Sequence, residues 1–230
     1  MESGRRTSAM EVKPRFKGAE AYLYLVEFAG MKALAKRRIA KEYRHRVLDE
    51  RLRYERTVEE ARTMLAALEA GVSVPSVLYV DPNEKLIVIE YIEGIVFREL
   101  IEVEGCSERV REIARRLGEN IAKLHLAGIA HGDVTTSNVI VSNDDTPFIV
   151  DFGLAKKTRD IREHAVDVHL FLRSLESTHP EHRDCIYQAF IEGYRSIAGD
   201  YTDKVLAKVD EIRLMGRYVE ARRQRTVWST

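Results

Sequence analysis

Two short motifs, separated by a pair of apolar segments, constrain the fold of this chain more than any other feature. The first is His131–Asn138, with the sequence His-Gly-Asp-Val-Thr-Thr-Ser-Asn, and the second is Asp151–Gly153, with the sequence Asp-Phe-Gly. The intervening segments, Val139–Val141 and Phe148–Val150, are apolar and predict two short strands joined by a turn that contains a proline.

This order of Asp, Asn and Asp is the one in which protein kinases place a catalytic base and two magnesium ligands. Phosphoryl transfer needs one carboxylate that orients the attacking hydroxyl or water, and oxygen ligands that hold magnesium against the phosphates. We therefore interpret Asp133 as the base and Asn138 and Asp151 as the metal ligands. The opposing interpretation, that these residues only form hairpin turns, does not account for the correct separation of both motifs.

A kinase-like site also needs a lysine that binds the nucleotide phosphates and pairs with a glutamate. Residues 22–28 and 32–39 predict a β-hairpin, and its second strand carries Ala-Leu-Ala-Lys, which ends at Lys36. A helix is predicted over residues 48–70, with Glu59 or Glu60 as the lysine partner. Residues 57–60 also fit a capping box, which would give Glu60 a structural role, but the helical pattern begins well before Thr57.

Two further segments occupy the positions at which a kinase binds ATP. Gly18, Ala19 and Glu20 precede the hairpin, where backbone N–H groups of a glycine-containing loop would cover the phosphates. Strands are predicted over residues 72–80 and 86–90, and the second leads into a hinge-like segment. Backbone groups near Glu90 and Ile92 are therefore candidates for binding adenine.

The rest of the chain is predominantly helical in pattern. Ser107 is a plausible N-cap of a helix that leads to His131, and further helices are predicted over residues 180–198 and 203–217. Asp167 interrupts an apolar helical stretch. It corresponds either to the kinase aspartate that anchors the catalytic-loop backbone, or to a capping or surface aspartate.

Bulk composition predicts a globular protein in a reducing compartment, the cytoplasm. The 230 residues include only two cysteines, without Cys-x-x-Cys spacing, so neither a disulfide framework nor a zinc site is indicated. No apolar run of about 18 residues and no signal peptide is present, so we expect no membrane association. The 37 basic and 37 acidic residues balance, yet basic residues concentrate between Lys36 and Arg56 and between Arg213 and Arg225.

Three departures distinguish the chain from regulated protein kinases. Gly132 stands where those enzymes carry an arginine that pairs with a phosphorylated activation loop, so this form of switching is not expected. Thr135 stands where a lysine usually holds the transferring phosphate, which predicts slower chemistry. Only 77 residues follow Gly153, and they contain no Ala-Pro-Glu sequence. The platform for peptide substrates is therefore expected to be reduced or supplied by a partner.

Several motifs together resemble the small atypical kinase subunit of the KEOPS complex, over nearly the whole stretch from Gly18 to Arg217. Glu42 is a local departure, because glycine is expected there. The motifs that carry the resemblance are Lys36–His45, Leu48-Asp49, Arg56–Arg62, His131–Asn138 and Ser177–Pro180.

The resemblance implies an ATPase or Ser/Thr kinase that uses ATP and magnesium. It would dock on the threonylcarbamoyltransferase subunit and other KEOPS subunits, and would support threonylcarbamoyl modification of adenosine in tRNA. The two basic stretches would suit contact with tRNA phosphates or an acidic partner, although solvated helix faces are an equally good explanation for the first.

The expected fold is α+β, a two-lobed protein-kinase-like architecture with a small β-rich N-lobe and a reduced, mainly helical C-lobe. The expected divisions are a flexible leader (1–12), the N-lobe (13–92), the C-lobe (93–217) and a basic flexible tail (218–230). Two alternatives remain open at this point: a small-molecule kinase of the aminoglycoside or choline type, and a nucleotide-binding scaffold without essential catalysis.

Overall fold

A computed structural model describes residues 15–18 and 20–227; for Phe16, Lys17 and residues 216–227 it describes the backbone alone. The chain forms two compact units. The first takes the residues up to Val58 together with Val77–Tyr91, and the second takes Glu59–Ser76 together with the residues from Ile92 onward. The expected leader, residues 1–12, lies outside the described residues, as do residues 228–230 of the expected tail.

The first unit contains an antiparallel sheet of five strands: β1 (Phe16–Lys17), β2 (Ala21–Phe28), β3 (Met31–Arg38), β4 (Val77–Asp81) and β5 (Leu86–Glu90). The strands are hydrogen-bonded in the order β1-β2-β3-β5-β4. The predicted hairpin is thus confirmed as β2 and β3. The strand predicted from residue 72 begins only at Val77, because the Val72 N–H closes the preceding helix on Ala67 and Pro75 has no N–H to donate.

Helix α1 (Arg46–Glu69) follows the sheet's third strand and confirms the helix predicted over residues 48–70. Thr57 lies in its interior, where the hydroxyl donates to the Arg53 carbonyl at 2.7 Å. The capping-box interpretation of residues 57–60 is therefore wrong. The division between the two units falls within this helix, so its second part, including Glu60, belongs to the second unit.

The second unit is mainly helical. Its helices are α2 (Phe97–Glu104), α3 (Glu108–Leu126), α4 (Ile161–Thr178), α5 (Arg183–Ala198) and α6 (Tyr201–Val227), and its short strands are β6 (Gly94–Val96), β7 (Ile129–Ala130), β8 (Val139–Ser142), β9 (Pro147–Ile149) and β10 (Lys156–Lys157). The α+β architecture expected from the sequence is confirmed. None of the helices in the described part of the chain has the length and apolar character needed to cross a bilayer.

The helices of this unit agree with the predictions at the start of α3 and depart from them in two places. Ser107 is the N-cap of α3, and its hydroxyl accepts the Val110 N–H at 3.1 Å, as predicted. Helix α2 was not predicted, since a two-turn helix contains too few residues to show a clear period. Helix α6 continues to Val227, past the end predicted at Arg217, so residues 218–227 of the expected tail are helical.

Two glycines allow α3 and α5 to pack closely. A Cβ on Gly118 would lie 1.9 Å from the Phe190 carbonyl oxygen, and a Cβ on Gly193 would lie 1.8 Å from the Arg115 carbonyl oxygen. The backbones therefore approach more closely than any side chain permits. Fully buried apolar residues surround this contact and form the core of the unit: Ile113, Leu117, Ile121, Leu124, Phe171, Phe190 and Tyr194.

A disulfide bond joins Cys106, between α2 and α3, to Cys185 on α5, and the expectation that the chain has no disulfide is therefore wrong. The two Cα atoms are 6.4 Å apart, within the range that a disulfide spans. Their separation of 79 residues explains the failure, because no local spacing indicates that helix packing brings them together. The bond connects the start of α3 to the helix that packs on it.

We predict that Gly193→Ala destabilises the protein by roughly 3 kcal/mol, although alanine favours a helix by about 1 kcal/mol over glycine. The new methyl group would meet a backbone oxygen that cannot rotate away. Urea unfolding monitored by circular dichroism measures the change, with exposed Glu192→Ala on the same helix as the control. Equal stability of the two variants would contradict the close approach of α3 and α5.

Candidate active site

The proposed base and a proposed metal ligand are joined directly. The Asn138 side-chain Nδ2 donates to the Asp133 carboxylate at 2.8 Å and to the Asp133 carbonyl oxygen at 2.9 Å. Both residues lie in the loop between β7 and β8, and Asn138 closes the 3-10 turn Thr136–Asn138. Because both N–H groups of the amide are used, the remaining polar atom of the Asn138 side chain is Oδ1, an oxygen of the kind that magnesium prefers.

The other proposed metal ligand, Asp151, comes shortly after β9, the second strand of the β8–β9 hairpin. The Val150 N–H donates to the Asn138 carbonyl oxygen at 2.9 Å, so the backbone of one proposed ligand contacts the residue that precedes the other. Asp151 has left-handed backbone angles, φ 62° and ψ 71°, which Asp tolerates better than most residues. Its Oδ1 accepts the Gly153 N–H at 3.2 Å.

His131 connects the two motifs. Its Nε2 donates to the Val150 carbonyl oxygen at 3.2 Å, and its Nδ1 accepts the Asp133 N–H at 3.3 Å. Burial lowers the pKa of His131 against the attraction of Asp167 and Asp151, which keeps the ring neutral and suits one donor and one acceptor. A neutral histidine therefore connects the proposed base, Asp133, to the residue that precedes Asp151.

Asp167 anchors this loop, as one of the two sequence interpretations predicted. Its carboxylate accepts the N–H groups of His131 at 2.6 Å and Gly132 at 2.7 Å. Burial by itself would raise the pKa of Asp167, but the hydrogen bonds from the His125 ring and from the His131 backbone N–H lower it below the usual value. The aspartate is fully buried on α4, so the capping and surface interpretations are wrong.

Gly132 shows why the chain carries no arginine before the base. Its φ is 80°, and a Cβ there would lie 2.8 Å from the Leu154 carbonyl oxygen. The left-handed backbone and the close contact exclude any larger side chain. This geometry supplies a physical reason for the departure that the sequence analysis noted.

Four residues around Asp167 were missed by the sequence analysis. His125 on α3 hydrogen-bonds Asp167 at 3.1 Å and the Tyr194 hydroxyl at 2.8 Å. The His164 ring stacks on His125 with a centroid distance of 4.2 Å and hydrogen-bonds the Tyr201 hydroxyl at 2.8 Å. The sequence signal was weak, since each of the four residues occurs on an ordinary amphipathic helix.

In the first unit, Lys36 lies on β3 between Leu23 and Ile87 of the neighbouring strands, as predicted. Glu20 is engaged by α1, because both of its carboxylate oxygens accept from the Arg56 guanidinium, at 2.9 and 2.8 Å. The Gly18 N–H donates to the Ala21 carbonyl at 3.0 Å and so already has an acceptor. Ala19 lies outside the described residues.

The other predicted nucleotide contacts are divided between the two units. Glu90 ends β5 in the first unit, whereas Ile92 and Glu60 are buried in the second. The ion pair between Lys36 and Glu60 and the adenine contacts therefore remain predictions.

The basic stretches are partly neutralised. Within residues 36–56, several guanidinium groups pair with carboxylates: Arg37 with Glu84, Arg51 with Glu55, Arg53 with Asp49 and Arg56 with Glu20. Arg213 pairs with Glu176 at 3.0 Å. The side chains of Arg217, Arg222, Arg223 and Arg225 lie outside the described part of the chain.

Comparison with known proteins decides the family. The model of the ABC1 atypical kinase-like domain matches residues 18–177. The KEOPS complex subunit Bud32 of Pyrococcus abyssi is 44% identical over 210 residues, which cover 88% of this chain and 94% of that protein. The chain belongs to the Bud32 family of atypical kinase-like proteins. The resemblance drawn from the motifs is thereby confirmed.

Other relatives in the Bud32 comparison are longer proteins. The probable bifunctional tRNA threonylcarbamoyladenosine biosynthesis proteins of Methanosarcina barkeri and Methanothermobacter thermautotrophicus are each 39% identical to this chain. The match covers 87% and 89% of the chain but only 35% and 36% of those relatives. The chain therefore spans about a third of their length.

This member of the Bud32 family should lose stability in acid through His164. Burial and the neighbouring His125 lower the pKa of His164 to about 4, and its Nε2 donates to the Thr158 carbonyl. The unfolded chain binds a proton near pH 6.5, so the free energy of unfolding falls as the pH drops from about 6.5 toward 4.

The variant His164→Gln removes the titrating ring while keeping a side-chain N–H donor, and should reduce this fall. Urea unfolding at pH 7 and pH 5 measures it, with exposed His45→Gln as the control. An unchanged loss of stability between the two pH values in His164→Gln would show that this ring is not the acid-sensitive group.

Proposed function

We propose that the chain is a magnesium-dependent ATPase and atypical Ser/Thr kinase that supports threonylcarbamoyl modification of adenosine in tRNA. The observation that carries the proposal is the contact between Asp133 and Asn138, in a loop held by the buried Asp167. A carboxylate fixed by an amide, beside an oxygen ligand and a second aspartate, is the arrangement that phosphoryl transfer needs.

In this proposal Asp133 orients the attacking hydroxyl or water and accepts its hydrogen. The Asn138 amide keeps the Asp133 carboxylate in place and leaves Oδ1 for magnesium, and Asp151 supplies the second protein ligand. Magnesium, when bound with ATP, neutralises the phosphate charge. The described residues contain no group of three or more His, Cys, Asp or Glu that could hold a metal ion, which fits a cation bound largely through phosphates and water.

The proposed nucleotide contacts are the ones that the sequence predicts. Lys36 would bind the phosphates and pair with Glu60, and backbone groups near Glu90 and Ile92 would bind adenine. The loop of Gly18, Ala19 and Glu20 would cover the phosphates, while the Glu20 side chain holds the loop to α1 through Arg56. This division of roles predicts that the loop acts through its backbone.

The proposed partners are the threonylcarbamoyltransferase subunit, other KEOPS subunits and tRNA. The name of the Pyrococcus relative places that protein in the KEOPS complex, and the names of the longer relatives describe them as bifunctional. The two basic stretches would contact tRNA phosphates.

We expect Asp133→Ala and Asp151→Ala each to lower the rate of ATP hydrolysis at least ~100-fold, because a base or a metal ligand is lost. The control is Asp144→Ala, an exposed aspartate in the turn between β8 and β9. Phosphate release is measured with magnesium-ATP, with and without the partner transferase and tRNA.

Three results would count against the proposal in different ways. No phosphate release and no labelling of protein in any mixture would refute the enzymatic activity. Stimulation by a small alcohol and not by tRNA would favour a small-molecule kinase. Normal tRNA modification with Asp133→Asn would favour a scaffold.

A further inference from the structure

We propose that Tyr194 is a positioning residue for the catalytic loop, acting through His125 and Asp167. The effect on turnover rests on the function proposed above, whereas the effect on the loop does not. Tyr194 lies on α5, His125 on α3 and Asp167 on α4, so one line of hydrogen bonds joins three helices to the loop that carries Asp133.

Each contact in this line is short and buried. The Tyr194 hydroxyl lies 2.8 Å from His125 Nδ1, and His125 Nε2 lies 3.1 Å from Asp167 Oδ2. Asp167 then accepts the N–H groups of His131 and Gly132. The side chains of His125 and Asp167 have no solvent exposure, so water cannot replace a missing partner.

The order of donors in this line is fixed by the carboxylate. Asp167 is an acceptor, so a neutral His125 ring carries its hydrogen on Nε2, and its Nδ1 accepts the Tyr194 hydroxyl hydrogen. Burial raises the pKa of Tyr194, which keeps that hydrogen in place. Without the hydroxyl, the buried Nδ1 would have no donor, and the His125 ring would be held less firmly against Asp167.

The backbone holds Tyr194 in position. The preceding residue, Gly193, packs against the Arg115 carbonyl oxygen on α3, the helix that also carries His125. The Tyr194 ring also contacts the His125 ring edge-on, with centroids 5.6 Å apart. Replacing tyrosine by phenylalanine should therefore keep the packing and remove only the hydrogen bond.

A second Tyr-His pair nearby provides a matched control. The Tyr201 hydroxyl lies 2.8 Å from His164 Nδ1, the same distance as in the first pair. The His164 ring stacks on His125, but its Nε2 donates to the Thr158 carbonyl oxygen at 3.2 Å and not to Asp167. The two pairs share their chemistry and differ in whether they reach the loop anchor.

The experiment compares amide hydrogen exchange of Tyr194→Phe and Tyr201→Phe by NMR, with ATP turnover measured in parallel. In Tyr194→Phe the amides of His131 and Gly132 should exchange roughly tenfold faster, because the hydrogen bond that holds the His125 ring against Asp167 is lost. Buried α3 amides such as that of Leu117 should not change. In the same variant kcat should fall several-fold with an unchanged KM for ATP, and Tyr201→Phe should alter neither measurement.

Equal acceleration of all core amides in Tyr194→Phe, or the same behaviour of both variants, would overturn the proposal and leave Tyr194 with a purely structural role. If Tyr194→Phe does not fold, the ring nitrogens of the wild-type protein decide: a hydrogen on Nδ1 of His125 would overturn it. A third outcome is that exchange becomes faster only at His131 and Gly132 in Tyr194→Phe, while even the wild-type protein shows no ATP turnover. That outcome would support the role of Tyr194 in the loop and contradict only the proposed enzymatic function.

Discussion

The candidate site depends on the hydrogen bonds that the buried carboxylate of Asp167 accepts. It accepts the backbone N–H groups of His131 and Gly132 directly before the proposed base, and it is itself held by His125. A buried charge is costly unless it is fully hydrogen-bonded, and here each bond it makes also fixes a segment of the loop. The free energy of burying one aspartate is thus offset by contacts that shape the active site.

Further hydrogen bonds connect this anchor to the rest of the site. His131 donates to the carbonyl oxygen of Val150, which precedes Asp151, and the Asn138 amide donates to the Asp133 carboxylate. Gly132 leaves no room for the arginine that pairs with a phosphorylated activation loop in regulated kinases. Thr135 has no positive charge, where a lysine usually holds the transferring phosphate. A site that lacks both this arginine and this lysine is suited to control by partner proteins, in line with the proposal for this member of the Bud32 family.

The parts of the site that lie within one local motif could be predicted from the sequence. The spacing of Asp133, Asn138 and Asp151 predicted their place around the β8–β9 hairpin, and the strand pattern predicted the place of Lys36 on β3, while their catalytic and binding roles stay predictions. Asp167 was predicted as a charge on an apolar helix. The contacts made by helix packing could not be predicted: the Cys106–Cys185 bond and the line from Tyr194 to His125 join residues far apart in sequence. Such contacts depend on the close approach of α3 and α5, which two ordinary-looking glycines permit.

The most direct test of the account is ATP turnover by the variant Asp167→Asn, with ATP affinity and thermal stability measured on the same sample. The amide nitrogen cannot accept a hydrogen bond, so at least one loop N–H loses its acceptor while the shape of the side chain is kept. The account predicts a folded protein that binds magnesium-ATP with near wild-type affinity and turns it over about 100-fold more slowly. A folded variant that hydrolyses ATP at the wild-type rate would contradict it.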